Sequence, residues 1–157
     1  MRVIGIDPGY DRLGVAIMDK NFLLHSACLT TQRGSPFGER LYLLIEEVEK
    51  LIKKWKPDTL GMEKVYFKSN QKTAMGVAEV RGAIIYLAGK HRLSLTEYAP
   101  AQIKSALTGH GRADKNQVAK MVENLLKMKK KPKYDDEYDA IAVALTCFAH
   151  QGLAKIF

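Results

Sequence analysis

Four carboxylates stand where structure by itself gives them little reason to be: Asp7, Glu63, Asp136 and Asp139. Asp7 closes the apolar run Val3-Ile4-Gly5-Ile6 and precedes Pro8-Gly9. Aspartate is disfavoured in strands, although an aspartate before Pro-Gly is also an ordinary turn former. Glu63 follows Leu60-Gly61-Met62, a segment apolar enough for a central strand. An ionised carboxylate there is costly unless it is paired or binds a cation. Asp136 and Asp139 are spaced i, i+3 and so share one helix face, a turn apart. Capping and the helix dipole account for acids in a first helical turn such as Asp135-Asp136-Glu137. Asp139 fits that account less well, because it opens the apolar run Ala140–Leu145. Together the four suggest an oxygen-rich site for Mg²⁺ or Mn²⁺, since hard cations prefer carboxylate and water ligands. Clustered carboxylates on a basic chain suit two-metal phosphodiester hydrolysis, with one ion activating water and the other stabilising the leaving oxygen.

No soft metal site competes. His25, His91, His110 and His150 lack metal-like spacing and read as surface or packing residues. Cys28 and Cys147 are far apart and read as core fillers. The balance of 25 basic against 17 acidic residues, a net charge of +8, favours a polyanionic partner. Five lysines between Lys127 and Lys133 read as a solvated loop, for which phosphate contact is the commonest specialised use. Asp7 comes too early for a signal-peptide core, and no apolar stretch approaches the roughly 20 residues of a membrane helix. The expectation is a soluble, cytoplasmic protein with no membrane partner, residues 1–157 forming one domain that needs no disulfide.

The elements that must position these residues follow from pattern. Residues 2–7 read as a buried strand, and 7–11 as a tight turn. Leu13–Met18 and Leu23–Thr31 continue a three-stranded meander. After Gly34-Ser35-Pro36, apolar residues from Leu41 to Trp55 recur at helical spacing, and Lys56-Pro57-Asp58 ends that helix. Thr59–Val65 reads as a strand, and residues 72–90 as a helix with small residues at Ala74, Gly76, Ala78, Gly82 and Ala83. Glycine within a helix costs about 1 kcal/mol, so close packing against another backbone is the expected compensation. Leu93–Tyr98 is a short strand, Pro100 opens a helix that Gly109-His110-Gly111 breaks, and 114–127 and Asp135–Ala149 are the last two helices. The order predicts an α/β fold with a mixed sheet covered by helices.

Four segments in order, Ile4–Gly9, Glu63–Tyr66, Ala101–Lys104 with Gly109–Lys115, and Asp136–Ala140, resemble the RuvC family of Holliday junction resolvases. The resemblance spans essentially the whole chain. It implies a ribonuclease H-like fold with a mixed five-stranded sheet flanked by helices. Asp7, Glu63, Asp136 and Asp139 match the family's catalytic metal-binding acids. Asp135 and Glu137 flank the third of these, and a 100° step round the helix favours Asp136. Lys104 and Lys115 match basic residues for catalysis and DNA contact, apt where negative charge builds up in the transition state. Tyr66 falls where the family carries an aromatic that stacks on opened bases. The expected DNA-binding set is Tyr66, Lys68, Lys72, Arg81, Lys104, Arg112 and Lys115.

The implied reaction is Mg²⁺-dependent cleavage of four-way junction DNA at two symmetry-related phosphodiesters, leaving 5′-phosphate and 3′-hydroxyl ends. Mn²⁺ is expected to substitute. Two cuts on a two-fold substrate imply a homodimer, for which the small-residue helix 72–90 is the candidate interface. The family also implies a branch-migration motor as partner. Three other readings compete with this one. An actin-like ATPase shares the early Asp-x-Gly pattern but needs a second domain to close over nucleotide. A resolvase-like nuclease of ribosomal RNA precursors shares the fold and first acidic motif, and a non-catalytic junction binder has no use for convergent acids.

Overall fold

The computed structural model describes residues 1–64 and 71–154, with the side chains of residues 71, 72 and 151–154 outside that description. Three antiparallel strands open the chain: β1 (Arg2–Pro8), β2 (Arg12–Asp19) and β3 (Phe22–Thr30). Helix α1 (Phe37–Trp55) follows, ended by Lys56 in the left-handed region at φ 47°. Then come β4 (Thr59–Glu63), α2 (Gln71–Lys90), β5 (Ser94–Tyr98), α3 (Pro100–Thr108), α4 (Lys115–Leu126) and α5 (Asp135–Ala154). The order of elements is the one expected, and α5 runs five residues beyond the expected Ala149. Val65, the expected end of the fourth strand, lies outside the described residues.

The sheet order is β3-β2-β1-β4-β5, with β1 antiparallel to β2 and parallel to β4. This is the expected mixed five-stranded sheet. Alternation along each strand divides the core in two. Ile4, Ile6, Leu13, Val15, Ile17, Leu60 and Met62 face α1 and α2, where Leu44, Val48, Val80 and Ile84 complete one apolar cluster. Val3, Ala16, Met18 and Tyr98 face the other way, onto α3, α4 and α5. Asp7, Arg12 and Glu63 lie in register with this second set, so alternation sends all three towards α5.

Helix α5 lies against the sheet with almost nothing in between. A Cβ on Gly14 of β2 would collide with the Asp136 carbonyl oxygen, and one on Gly61 of β4 with Cys147 Sγ. On Gly5 of β1 it would run into the Ala140 carbonyl oxygen and come within 2.7 Å of the Ala144 nitrogen. Three strand glycines thus make a trough across β2, β1 and β4, into which α5 fits with Ala140 and Ala144 against the sheet. The glycines of α2 do something else, which corrects the expectation of backbone packing there. Gly76 meets the rings of Tyr10 and Phe37, and Gly82 and Gly89 meet nothing within 4 Å.

The turn after Asp7 is pinned from the α1 side. Arg40, buried, donates to the Tyr10 carbonyl (3.0 Å), Asp11 Oδ1 (2.9 Å) and Thr31 Oγ1 (2.9 Å). Tyr10 also stacks on Phe37 with centroids 4.9 Å apart. These three bonds fix the path of the chain leaving β1.

The trough makes a direct prediction. Gly5→Ala should lower stability by about 1–3 kcal/mol, the usual range for overpacking, because backbone rather than a flexible side chain must yield. Gly38→Ala on α1, where an added Cβ meets nothing within 4 Å, should be neutral or stabilising by up to about 1 kcal/mol. Urea unfolding of the two variants checks both, and equal midpoints would contradict the trough.

Candidate active site

The site sits at the carboxyl ends of β1 and β4, the usual location for chemistry in sheets with parallel strands. Ile6 pairs with Met62 in the parallel β1–β4 ladder, so Asp7 and Glu63 are the next residues out on neighbouring strands. Across the antiparallel ladder Asp7 pairs with Gly14, the same glycine that the Asp136 carbonyl covers. The trough therefore sets the first turn of α5 beside Asp7, and Asp139 follows one turn later. The neighbours of Asp136 are occupied elsewhere. Asp135 is exposed, and Glu137 accepts from Ser26 Oγ at 2.6 Å, over β3. Of the three neighbouring acids, it is Asp136 whose charge acts on Asp7, beside those of Glu63 and Asp139.

Electrostatics report the same convergence. Removal from water, followed by the charges of Asp139, Glu63 and Asp136, pushes the Asp7 carboxyl up to about 8. Burial and Asp139 raise Glu63, with Lys115 and Lys104 opposing. Burial also raises Asp139 against the pull of Lys115. Three acids whose ionisation is opposed in this way are a store of repulsion that a divalent cation relieves.

Three cations border this cluster. Lys115 is the first residue of α4, whose start is fixed by a reciprocal cap between Asp114 and Gln117 at 2.9 Å in both directions. Its Nζ lies 3.4 Å from Asp139 Oδ2. Lys104, on α3, lines with Glu63, Lys115 and Asp139 a pocket of about 270 Å³ whose floor is Ile103, Val118 and Ala142. Arg12, which sequence reasoning missed, places Nε 3.0 Å from Asp136 Oδ2. The signal that could have found it is its even position on β2, on the same face as Gly14.

The other expected DNA contacts are dispersed. Arg112 is exposed beside the start of α4. Arg81 is turned inward: Nη1 donates to the Glu63 carbonyl at 2.8 Å and Nη2 pairs with Glu97. Its guanidinium anchors the end of β4, so its placement supports a positioning role for Glu63 instead of DNA contact. Tyr66 and Lys68 lie outside the described residues, as does the Lys72 side chain. Among the lysines from 127 to 133, Lys131 pairs with Glu123 at 2.8 Å and Lys133 lies 5.4 Å from the Tyr134 ring centroid.

A divalent cation fits the donor set. All four acids supply hard oxygen, and Asp136 Oδ2 is a buried atom that accepts no hydrogen bond. As the side chains stand, no group of three acids, histidines or cysteines among the described residues encloses an ion. Arg12 and Lys115 lie against two of the four carboxylates instead. The histidines and cysteines serve other ends: His91 bonds Glu49 at 2.8 Å, His150 packs on Tyr98, and Cys147 is buried beside Gly61.

The raised acids carry a signed pH dependence. Asp7 has a folded pKa far above its ordinary 3.8, so the fold penalises its ionisation progressively from about pH 4 to about pH 8. Its share of stability is present below that window and lost on rising through it. In EDTA, the melting temperature of the parent should fall relative to that of Asp7→Asn as pH rises from 5 to 8. Mg²⁺ or Mn²⁺ at pH 8 should restore the parent and not the variant. Parallel pH profiles in calorimetry would contradict this reading of the cluster.

Comparison with known proteins agrees with this geometry. The family model described as crossover junction endodeoxyribonuclease RuvC matches residues 3–147. The crossover junction endodeoxyribonuclease RuvC of Finegoldia magna is 43% identical over 149 residues, covering 92% of this chain and 91% of that one. The structure of Thermus thermophilus RuvC in complex with Holliday junction substrate superposes with a TM-score of 0.90 at 31% identity, covering 98% of this chain and 96% of that one. The yeast mitochondrial Holliday junction resolvase shares the fold, with a TM-score of 0.72 at 14% identity over 99% of this chain and 80% of that one. With its ribonuclease H-like sheet and full-length relatives, the chain belongs to the RuvC family of crossover junction endodeoxyribonucleases.

Proposed function

We propose that the chain acts as a single nuclease domain that resolves four-way DNA junctions, cutting two symmetry-related phosphodiesters as a homodimer with Mg²⁺ or Mn²⁺. The observation that carries this reading is the convergence of Asp7, Glu63, Asp136 and Asp139 beneath Lys104 and Lys115, in a member of this family. A bound divalent cation supplies a lowered water pKa and charge neutralisation at the phosphate. The chain's own residues do the rest. Asp7 and Glu63, on the ends of paired strands, define the floor against which the scissile phosphate is oriented. Asp136 and Asp139 approach from the first turns of α5, held by the trough. Lys104 and Lys115 meet the charge that builds on the phosphate oxygens during in-line attack by water, and the products carry 5′-phosphate and 3′-hydroxyl ends. Tyr66, Lys68, Lys72 and Arg112 remain the proposed DNA contacts beyond the reacting phosphate. A DNA junction as substrate supports a cytoplasmic location, and no helix among the described residues is long and apolar enough to cross a membrane. A branch-migration motor is the further partner proposed from the family.

The dimer reading is supported by the outer face of α2. Met75 and Tyr86 are exposed there with Gly82 and Gly89 at spacings of seven, four and three residues, which is one helical stripe. Ile85 of α2 and Tyr42 and Leu43 of α1 add exposed apolar surface. Large apolar side chains around an open glycine suit a close helix crossing between two copies.

Two outcomes test these proposals. With Mg²⁺, the protein should cut a synthetic four-way junction and leave linear duplex and RNA intact. Asp7→Asn should bind that junction and cut at least a thousandfold more slowly, since a ligand of the reaction centre is lost. Undiminished cutting by the variant would remove the mechanism. For the dimer, Tyr86→Glu should sediment as a folded monomer at micromolar concentration, whereas the parent sediments as a dimer. A dimer that survives this change places the interface elsewhere.

A further inference from the structure

Arg12 is the least expected member of the site. It is the first residue of β2, on the strand face that carries Gly14, and its guanidinium lies between two groups. On one side is Asp136, with Nε 3.0 Å from Oδ2. On the other is the ring of Tyr134, 5.0 Å from the guanidinium carbon. The Arg12 side chain is 41% exposed and that of Asp136 only 19%, so the pair spans from the acidic floor to solvent. Asp136 Oδ2 is buried and accepts no hydrogen bond, which leaves Arg12 as the charge that compensates it.

A guanidinium and a divalent ion drawn to that one oxygen repel each other, so each weakens the other's hold on Asp136. The guanidinium meets Asp136 through Nε, and a phosphodiester, which matches its planar fork, is an anion able to draw it away. Lys115 on Asp139 is a weaker competitor, at 3.4 Å and with a side chain 72% exposed. We infer that Arg12 is a resident counter-cation for Asp136 which transfers to a backbone phosphate when DNA arrives, freeing Asp136 for the divalent ion. Metal loading is thereby coupled to DNA binding, and by linkage each strengthens the other. This rests on the metal-dependent reading given above. The benefit is that the free protein carries a site already neutralised at Asp136, and completes it only on substrate.

The test is Mn²⁺ binding followed by electron paramagnetic resonance on the full chain, without DNA and with the nicked duplex product that is not cut further. Parent, Arg12→Ala and Arg12→Gln are compared, the glutamine keeping a side chain that can hydrogen-bond Asp136 should alanine unsettle the fold. Without DNA, both variants should bind Mn²⁺ about tenfold more tightly than the parent. The gain in Mn²⁺ affinity that DNA confers on the parent should largely vanish in both. A purely structural role for Arg12 predicts the opposite sign, because a loosened Asp136 binds metal less well. Unchanged or weaker Mn²⁺ binding in the folded variants overturns the inference while leaving the metal site standing. Absence of Mn²⁺ binding in all three proteins overturns the metal-dependent reading with it.

Discussion

The contact on which the site depends is helix against sheet, backbone on backbone at Gly14 and Gly5 and side chain on backbone at Gly61. Gly14, Gly5 and Gly61, on three adjacent strands, let α5 settle into the sheet where any Cβ would hold it away. The Asp136 carbonyl covers Gly14, and Gly14 is the ladder partner of Asp7. The separation between the acid on β1 and the acids on α5 is therefore set by the closest approach two polypeptide segments can make. Catalytic groups held on rigid elements keep their geometry better than groups on loops, and here the rigid elements are also in direct contact. Arg40 completes the arrangement from the opposite face by tying down the turn through which the chain leaves Asp7.

This architecture concentrates like charge in a half-buried place. Asp7 feels three other carboxylates and loses water besides, and both oppose its ionisation while Lys115 favours it. Natural active sites commonly trade stability for such poise. Arg12 and Lys115 partly neutralise Asp136 and Asp139, and Lys104 contributes to the field at Glu63. The net positive charge of the chain thus has a local part, compensating the acids, and a distributed part suited to attracting DNA.

Much of this was legible in the sequence, for identifiable reasons. Asp7 and Glu63 interrupt apolar strands, and the alternation of those strands sends both side chains to the face that the last helix covers. The element order and the mixed sheet followed from the switch between strand and helix periodicity. What was not legible depended on contacts between distant segments. Gly76 and Gly82 in α2 read as packing devices against a backbone, yet Gly76 meets aromatic rings and Gly82 meets nothing, whereas the glycines that matter lie inside strands, where they read only as weak strand formers. Arg81 looked like one more basic residue for DNA; only the tertiary structure brings it to the Glu63 carbonyl and to Glu97. Arg12 carries no local signal, because its partner Asp136 is more than a hundred residues away in sequence.

The central claim is that the trough brings four acids together as one divalent-cation site. Anomalous diffraction from crystals soaked in Mn²⁺, recorded at the manganese edge, tests it most directly. The account predicts anomalous density bounded by Asp7, Glu63, Asp136 and Asp139, with α5 still seated on Gly14, Gly5 and Gly61. Density centred on other residues, or none at saturating Mn²⁺ at neutral pH, would contradict it.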